Sequence, residues 1–269
     1  MKKKGILLAA VILLSTVGLV QAQLGELSGT IDITYLSSYI WRGFDMYGES
    51  RSAIQPSIDL DFYGTGLRSN ILMSRANGSG RENLEELRST LYYQNGIYEA
   101  ENYATDYHIG WTCYNYPDMP QKAYNMQELF AALSWPKICP AGVVPSYTIV
   151  CSWPSKQNST LARKSAGWLH IFGLGYDLTV TDLMPEMPEQ VFHLSAAAVY
   201  NDGAWDFASP GGDGTVDHDW SHAVFGISTA FELGNDLTLT PGVYYQASMD
   251  DSVNTEDETW CSISMTYKF

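Results

Sequence analysis

Two side chains that could act together in acyl transfer, His193 and Ser195, are separated by a single residue. A histidine can activate a serine hydroxyl as a nucleophile when the two lie within hydrogen-bond distance. Residues two apart share one face of a β-strand, so the spacing is compatible with such a site. No orienting third residue can be named from the sequence, and the interpretation we favour is a histidine beside a serine on a polar wall.

Acidic side chains are concentrated in two predicted loops, in a region without Lys or Arg between Lys164 and Lys268. Carboxylates could hold Ca²⁺ or Mg²⁺, but neither loop has the EF-hand spacing. His218 and His222, each close to an aspartate, could bind a transition metal. We predict a solvated acidic surface and assign no metal site. The loop carboxylates are Asp202, Asp206, Asp213, Asp217, Asp219, Asp250, Asp251, Glu256, Asp257 and Glu258.

After residue 22, no apolar run is long enough for a membrane-spanning helix. We therefore expect short strands to position these side chains. Twelve segments alternate apolar and polar residues with period two, which is typical of strands between lipid and a polar interior. In the first segment, for example, Ile31 and Ile33 flank Asp32. The 18 Tyr, 8 Trp and 9 Phe suit the aromatic girdles of a barrel, and would also suit a secreted sandwich. The periodicity favours an all-β, transmembrane, antiparallel up-and-down barrel of about twelve strands.

The connections between these segments alternate in length, as in outer-membrane barrels. Hairpin turns are predicted at 64–66, 95–96 and 234–236, and an irregular, long connection at 179–188. Pro56 and Pro241 fall inside predicted strands, where each removes a hydrogen-bond donor, and we expect a bulge at each. The longer predicted loops are 42–51, 77–85, 116–124, 154–165, 201–219 and 249–258.

The first 22 residues have the composition of an export signal: three lysines, an apolar stretch and a small-residue site that ends at Ala22. Cleavage there removes three lysines and leaves 12 basic against 30 acidic side chains, a net charge of −18. Phosphate binding needs a basic surface, so nucleic acid is excluded as a partner. We predict a signal peptide over residues 1–22 and one barrel domain over residues 23–269.

Several short motifs resemble the TorF-like porin family. The segment Tyr39–Phe44 (YIWRGF), followed by Gln55–Leu60 (QPSIDL), is similar to the N-terminal region of that family, and Gly173–Asp177 and Pro241–Tyr245 are similar to later parts. The C-terminal Phe269, with apolar residues at alternate positions before it, resembles the signal by which outer-membrane barrels are recognised for insertion. The resemblance implies a bacterial outer-membrane barrel of porin type that binds the barrel-assembly machinery through its last strand. It supplies no catalytic residues.

Polar residues on six consecutive predicted strands form one charged wall of the interior. A short connection places Asp61 opposite Arg68, where the two can form a cross-strand ion pair. Twelve strands lie between barrels filled by side chains and barrels with open channels, so a charge-filtering constriction and a filled, salt-bridged interior are both open. The predicted lumen residues are Asp32, Asp59, Asp61, Arg68, Asn70, Glu86, Arg88, Asp106, His108 and Glu128.

These features together predict an outer-membrane porin-like barrel that passes small hydrophilic solutes passively or with a weak preference for cations, because carboxylates predominate in the interior. The interpretation involves no enzyme activity and no cofactor. Expected partners are membrane lipid, lipopolysaccharide and the solutes. Two alternatives stay open: an outer-membrane acyl hydrolase that uses His193 and Ser195, and a closed barrel whose acidic loops contact lipopolysaccharide cations or other surface partners.

Overall fold

The structure, a computed structural model, describes residues 25–49, 51–78, 80, 84–120, 124–155, 166–184, 187–205 and 216–269. The predicted signal peptide lies outside them. Among these residues, no helix is long and apolar enough to cross a membrane. A 3₁₀ helix covers Pro140–Gly142. The strands are β1 (Ser28–Leu36), β2 (Ile40–Trp41), β3 (Phe44–Asp45), β4 (Ala53–Asp61), β5 (Leu67–Ala76), β6 (Glu86–Ile97), β7 (Thr105–Asn115), β8 (Met126–Ser134), β9 (Val144–Pro154), β10 (Gly167–Met184), β11 (Met187–Asp202), β12 (His218–Thr229), β13 (Phe231–Gly234), β14 (Leu237–Ser248) and β15 (Glu258–Lys268).

All strands except β2 and β3 belong to one antiparallel sheet that closes on itself. Neighbours in the chain pair from β4 to β12, β12 also pairs with β14, and β1 pairs with both β4 and β15. Because β13 continues β12 after a break at Ala230, the barrel has twelve strands. The first and last strands lie side by side, and closure gives the backbone hydrogen bonds that a lipid environment requires.

Cross-strand neighbours show that the outside of the barrel is apolar. Ile33 lies opposite Met265, which lies opposite Leu239, and residues that face each other across a sheet share one side of it. Ile33 and Met265 keep 55% and 46% of their surface exposed. Between these rows, Asp32 accepts a hydrogen bond from Thr266 at 2.7 Å on the inner side. The alternation thus places apolar side chains toward lipid and polar ones toward the lumen.

One predicted turn is wrong. The Asn95-Gly96 pair is not a turn, because β6 continues to Ile97 and Asn95 pairs with Tyr107 on β7. The connection expected at 179–188 is shorter than predicted, since β10 extends to Met184 and β11 begins at Met187, but the expected irregularity is present as a register shift between Thr181 and Met184. The turns at 64–66 and 234–236 are confirmed, and Asn235 and Asp236 have the positive φ of a tight hairpin.

Neither proline produces the predicted bulge. The pairing of β4 with β5 keeps one register across Pro56, from Ile54 opposite Arg75 to Ser57 opposite Leu72. Pro241 lies where β14 faces the break between β12 and β13, and the register is again the same on both sides. Each proline lacks an N–H, so ladder bonds are lost without an extra residue.

The strand ends that are joined by the longer connections lie at one end of the barrel, which we call the loop end; these connections are 37–52, 77–85, 116–125, 155–166, 203–217 and 249–257. The strand ends that are joined by the shorter connections, the start of β1 and the end of β15 lie at the other, the turn end. In outer-membrane barrels the short turns face the periplasm. A closed barrel with an apolar outer face confirms the predicted fold class and the outer-membrane location.

Candidate functional site

The first connection at the loop end, residues 37–52, folds into the mouth of the barrel, and we call it the inner loop. It contains the β2–β3 hairpin, whose turn residues Arg42 and Gly43 have positive φ values of 55° and 92°. Tyr39 and Tyr47 are only 3% and 1% exposed. Burial of these aromatic side chains against the wall holds the inner loop in place.

Strand β6 carries a buried ion pair beneath the inner loop. Arg88 Nε donates to Glu86 Oε1 at 2.9 Å, and a terminal nitrogen of Arg88 donates to the Tyr39 hydroxyl at 2.7 Å. The Tyr116 hydroxyl donates to Glu86 Oε2 at 3.0 Å. Burial raises the pKa of both Tyr39 and Tyr116, so these phenols keep their protons. The inner loop is thereby tied to β6 and to the loop that follows β7.

Glu128 on β8 forms a second buried centre and is 1% exposed. Its Oε2 accepts from Arg42 of the inner loop at 3.3 Å and from the Tyr114 hydroxyl at 2.7 Å. Its Oε1 accepts from the Trp205 indole N–H at 2.7 Å. One carboxylate therefore joins the inner loop, two wall strands and the loop after β11.

The Trp41 ring connects the two centres. The guanidinium carbon of Arg88 lies 3.8 Å from the centroid of the Trp41 ring and 4.8 Å from that of Tyr114, and the Arg42 guanidinium lies 4.8 Å from Trp41. Such cation–π contacts stabilise a guanidinium that has been withdrawn from water. The wall arginine and the inner-loop arginine thus share one aromatic side chain.

Apolar side chains complete the packing at the loop end. Phe44 of the inner loop, Trp205 and Val253 belong to one buried cluster with residues of the wall. Gly43 leaves no space for a side chain, since a Cβ atom there would lie 2.5 Å from His222 Nδ1 and 2.8 Å from a Val253 methyl group. The inner loop is therefore closely packed against the described parts of the wall and of the neighbouring loops.

In the half of the lumen nearer the turn end, the charged side chains are less deeply buried than Glu86 and Glu128. Arg68 Nε donates to Asp59 at 2.8 Å and the guanidinium lies 3.6 Å from Asp61, while the Tyr92 hydroxyl donates to Asp59 at 2.9 Å. Asp61 and Arg68 are opposite each other, as predicted, although Asp59 is the nearer partner. These groups are partly exposed, and the space between them is open.

Two cavities follow one another along this part of the lumen and share His108. The first, of about 310 Å³, lies directly beneath the inner loop and is bounded by Trp41 and Arg42. The second, of about 510 Å³, opens at the turn end and is lined by polar residues that include Asp61 and Asp106. The two cavities therefore occupy the part of the lumen between the turn end and the inner loop.

The ten residues predicted to line the lumen fall into three groups. Asp59, Asn70, Arg88, His108 and Glu128 border the cavity beneath the inner loop. Asp61, Asp106 and again His108 border the cavity at the turn end, and Arg68 is the ion-pair partner of Asp59. Glu86 is buried behind Arg88, and Asp32 is held by Thr34, Ser264 and Thr266 on another part of the wall. The sequence reasoning missed the inner-loop contributors Trp41 and Arg42, whose signal was an aromatic-rich hexapeptide, Tyr39–Phe44, inside a predicted loop.

His193 and Ser195 are directed toward different neighbouring strands. His193 Nδ1 lies 2.6 Å from Asp177 Oδ1 on β10. The Ser195 hydroxyl oxygen lies only 2.6 Å from where a Cβ atom on Gly226 of β12 would be. The imidazole therefore has an acidic partner that was not foreseen, but the serine hydroxyl points to the opposite side.

The candidate metal ligands are engaged within the protein. His218 is hydrogen-bonded to Asp202, whereas buried His222 lies 2.8 Å from the Ser221 hydroxyl. In the loop 249–257, hydrogen bonds from the Tyr245 hydroxyl and the Ser248 amide lower the pKa of Asp257. Among the described residues, no group of three or more His, Cys, Asp or Glu side chains has the arrangement of a metal site. Asp206 and Asp213 lie outside those residues.

No protein-family model and no curated protein sequence matches the chain. The similar solved structures include a KdgM porin (TM-score 0.52, 7% identity, 89% of this chain and 99% of that one) and a NanC porin (0.53, 9%, 90% and 100%). A third is the COG4313 outer membrane channel from Pseudomonas putida F1 (0.51, 9%, 91% and 96%). At these identities the likeness concerns the fold alone. The chain has the fold of outer-membrane porins and channels, and its likeness to TorF-like porins stays a resemblance.

Proposed function

We propose that the chain is a narrow diffusion channel that passes small hydrophilic solutes across the bacterial outer membrane. The observation that carries this proposal is the pair of cavities, of about 510 and 310 Å³, that lie in the lumen between the turn end and the inner loop and share His108. A barrel filled by side chains along its whole length would leave no such space.

The inner loop forms the narrowest part of this channel. Its side chains Trp41 and Arg42 lie inside the barrel and border the cavity beneath the inner loop. A solute that enters from the loop end must pass this segment, so the contacts that hold it control the conductance. The ion pair between Arg42 and Glu128 joins its turn to β8, and the Gly43 carbonyl accepts a hydrogen bond from Gln246 Nε2 on β14 at 2.9 Å.

The charges of the lumen support a weak preference for cations. Each arginine there is paired with a carboxylate: Arg42 with Glu128, Arg68 with Asp59, and Arg88 with Glu86. Asp106 and Asp61 at the turn end border the open cavity, and Asp106 has no ion-pair partner among the described residues. Unpaired carboxylates in a narrow aqueous passage attract cations.

A second candidate, a barrel closed at the loop end, is favoured by the buried cluster that contains Phe44, Trp205 and Val253. The two candidates differ in one measurable property, the ion current through a single inserted barrel. We expect the mature chain, refolded and inserted in a planar bilayer, to show stepwise conductance. Correct insertion without current would contradict the channel and support the closed barrel.

The cation preference is tested by the reversal potential across the same bilayer in a KCl gradient. We expect Asp61→Asn combined with Asp106→Asn to lower the ratio of cation to anion permeability by roughly twofold, because two carboxylates leave the mouth of the passage. The matched control is Glu101→Gln, which removes an exposed carboxylate from the connection between β6 and β7. Equal ratios in the double variant and the control would contradict a charge filter at the turn end.

A further inference from the structure

The hairpin formed by β10 and β11 extends past its neighbouring strands at the turn end. β9 pairs with β10 only as far as Gly175, and β12 pairs with β11 only from Phe192 onward. β10 and β11 continue to pair with each other beyond these points. Residues 176–181 of β10 and 189–191 of β11 therefore form a two-stranded segment, which we call the ribbon, on the side that faces the periplasm in outer-membrane barrels.

The neighbouring ladder shows which main-chain groups of β10 lie on the free edge of the ribbon. The Trp135 N–H donates to the Pro145 carbonyl at 3.0 Å, so Pro145 directs its main-chain groups toward β8. Adjacent residues of a strand direct these groups to opposite sides, so Val144 is directed toward β10, where its partner is Gly175. From Gly175 onward, every second residue of β10 thus directs its N–H and C=O away from β11.

Three residues of the ribbon have their N–H and C=O on this free edge: Asp177, Thr179 and Thr181. No described residue forms a main-chain hydrogen bond with them on that side. Prolines and charged side chains usually protect an exposed edge from pairing with another chain. The ribbon part of β10 contains no proline, and Asp177 directs its carboxylate to His193 of β11, at 2.6 Å. The edge is therefore open to a further strand.

The charge of the ribbon favours a basic partner. Residues 176–193 contain four acidic residues and no Lys or Arg, and the nearest basic residues along the chain are Lys164 and Lys268. Asp177 and Glu189 are both exposed, and the register places them on the same face of the ribbon. An acidic surface of this kind attracts a segment of opposite charge and repels a second copy of itself.

The other face of the ribbon is apolar and leads to a hollow on the outside of the barrel. Leu178 is 41% exposed on this face and lies opposite Phe192. The hollow, of about 550 Å³, lies where β9 begins and is lined by Pro145, Leu174 and aromatic side chains. A strand added along the free edge places every second side chain on this face. Strand addition obtains affinity from main-chain hydrogen bonds and selectivity from such pockets.

We propose that the free edge of β10 is a docking site for a basic, extended segment of a periplasmic protein, which adds to the barrel as a further strand. Its main-chain groups pair with those of Asp177, Thr179 and Thr181. Its Lys or Arg side chains lie over the acidic face, and the apolar residues that alternate with them cover Leu178 and reach the hollow. The proposal goes beyond solute passage and does not depend on it, because the edge lies outside the lumen.

A capped peptide in which Lys alternates with Val is a suitable probe, and the same peptide with Glu in place of Lys is its control. Amide hydrogen exchange of the mature barrel in zwitterionic micelles, followed by NMR, reports which N–H groups the peptide protects. We expect the Lys peptide to slow exchange saturably at Asp177, Thr179 and Thr181. The Glu peptide should bind at least roughly tenfold more weakly, because like charges then face each other across the new strand pair.

Thr179→Pro removes one N–H from the free edge and leaves the hydrogen bonds between β10 and β11 in place. We expect it to weaken binding of the Lys peptide by roughly three- to tenfold. The matched control, Thr179→Ala, keeps the N–H and should change the affinity by less than about twofold. Asp177→Asn combined with Glu189→Gln leaves the backbone unchanged and should weaken binding by roughly threefold.

Three results would overturn the proposal. The first is the absence of saturable protection at the three edge amides, and the second is equal binding of the Lys and Glu peptides. The third is protection of the same amides without peptide that increases with barrel concentration, because a second copy of the chain would then occupy the edge. A barrel that carries no ion current can still be tested in this way, so failure of the channel and failure of the docking site are distinguishable.

Discussion

The two ends of the lumen are built from the same strands and differ in their contact with water. On β6, Glu86 at the loop end is 1% exposed, whereas Gln94 at the turn end borders a cavity of about 510 Å³; on β8, Glu128 and Ser134 differ in the same way. Strand alternation gives both members of each pair an inward direction. The loops decide whether an inward side chain meets solvent, since the inner loop covers one end and the other is left open.

This difference changes the energetic role of similar ion pairs. At the loop end, Glu128 is buried and its partner Arg42 is partly buried, and aromatic hydrogen-bond donors complete the site, so loss of the carboxylate leaves these donors without compensation. At the turn end, partial exposure lets water replace a lost partner. Substitutions at the loop end should therefore change the free energy of unfolding most, and substitutions at the turn end should mainly change the passage of solutes.

The largest expected effect comes from removal of the buried carboxylate at the loop end. Glu128→Ala leaves Arg42, Tyr114 and the Trp205 indole without their shared acceptor, and lowers the free energy of unfolding by about 3–5 kcal/mol. Urea unfolding of the refolded barrel measures the change. We also expect a larger single-channel conductance, because the inner loop loses its tie to β8.

The matched variant at the turn end is Asp106→Ala. It removes a carboxylate without an ion-pair partner among the described residues and changes the free energy of unfolding by no more than about 0.5 kcal/mol. Equal destabilisation by Glu128→Ala and Asp106→Ala would show that the two ends do not differ energetically.

A smaller effect separates backbone strain from lack of space at two glycines. Gly43 in the inner loop and Gly64 in a turn-end hairpin both have positive φ, of 92° and 67°, but only Gly43 is surrounded by side chains. Gly64→Ala costs about 1 kcal/mol for the strained backbone. Gly43→Ala adds a clash with His222 and Val253, and costs about 2–3 kcal/mol in the same unfolding measurement. Similar values for both variants would mean that the inner loop is not tightly packed.

The strand faces could be predicted from the sequence because period-two alternation depends only on local geometry. Ile33, Asp32 and Leu239 each lie on the predicted side, and the pairing of Asp61 with Arg68 followed from a short connection. The predicted ends of the strands were less accurate than their predicted faces. Asn95-Gly96 has the composition of a turn, but its pairing with β7 keeps it in β6, so tertiary pairing overrode the local preference.

The inner loop could not be predicted, because its position depends on contacts between distant parts of the chain. Arg42 meets Glu128 and Gly43 meets His222, pairs that no periodic pattern relates. The aromatic segment Tyr39–Phe44 entered the sequence analysis only as a motif of the family resemblance, and its composition does not specify where the loop folds. The buried donors of Trp41 and Arg42 followed only from the folded structure.

The smallest expected effect concerns the pair that first suggested catalysis. Ser195 lies on the lumen wall nearer the turn end, and its hydroxyl is directed toward Gly226 while His193 bonds to Asp177 on the other side. Since a nucleophile needs its base within hydrogen-bond reach, this geometry does not activate the serine. Ser195→Ala should therefore leave the conductance unchanged and shift the free energy of unfolding by no more than about 0.5 kcal/mol. The decisive measurement is the release of fatty acid from phospholipid vesicles. Hydrolysis by the wild-type barrel that disappears in Ser195→Ala would show that Ser195 is catalytic, and would contradict the interpretation of this half of the lumen as a passage for solutes.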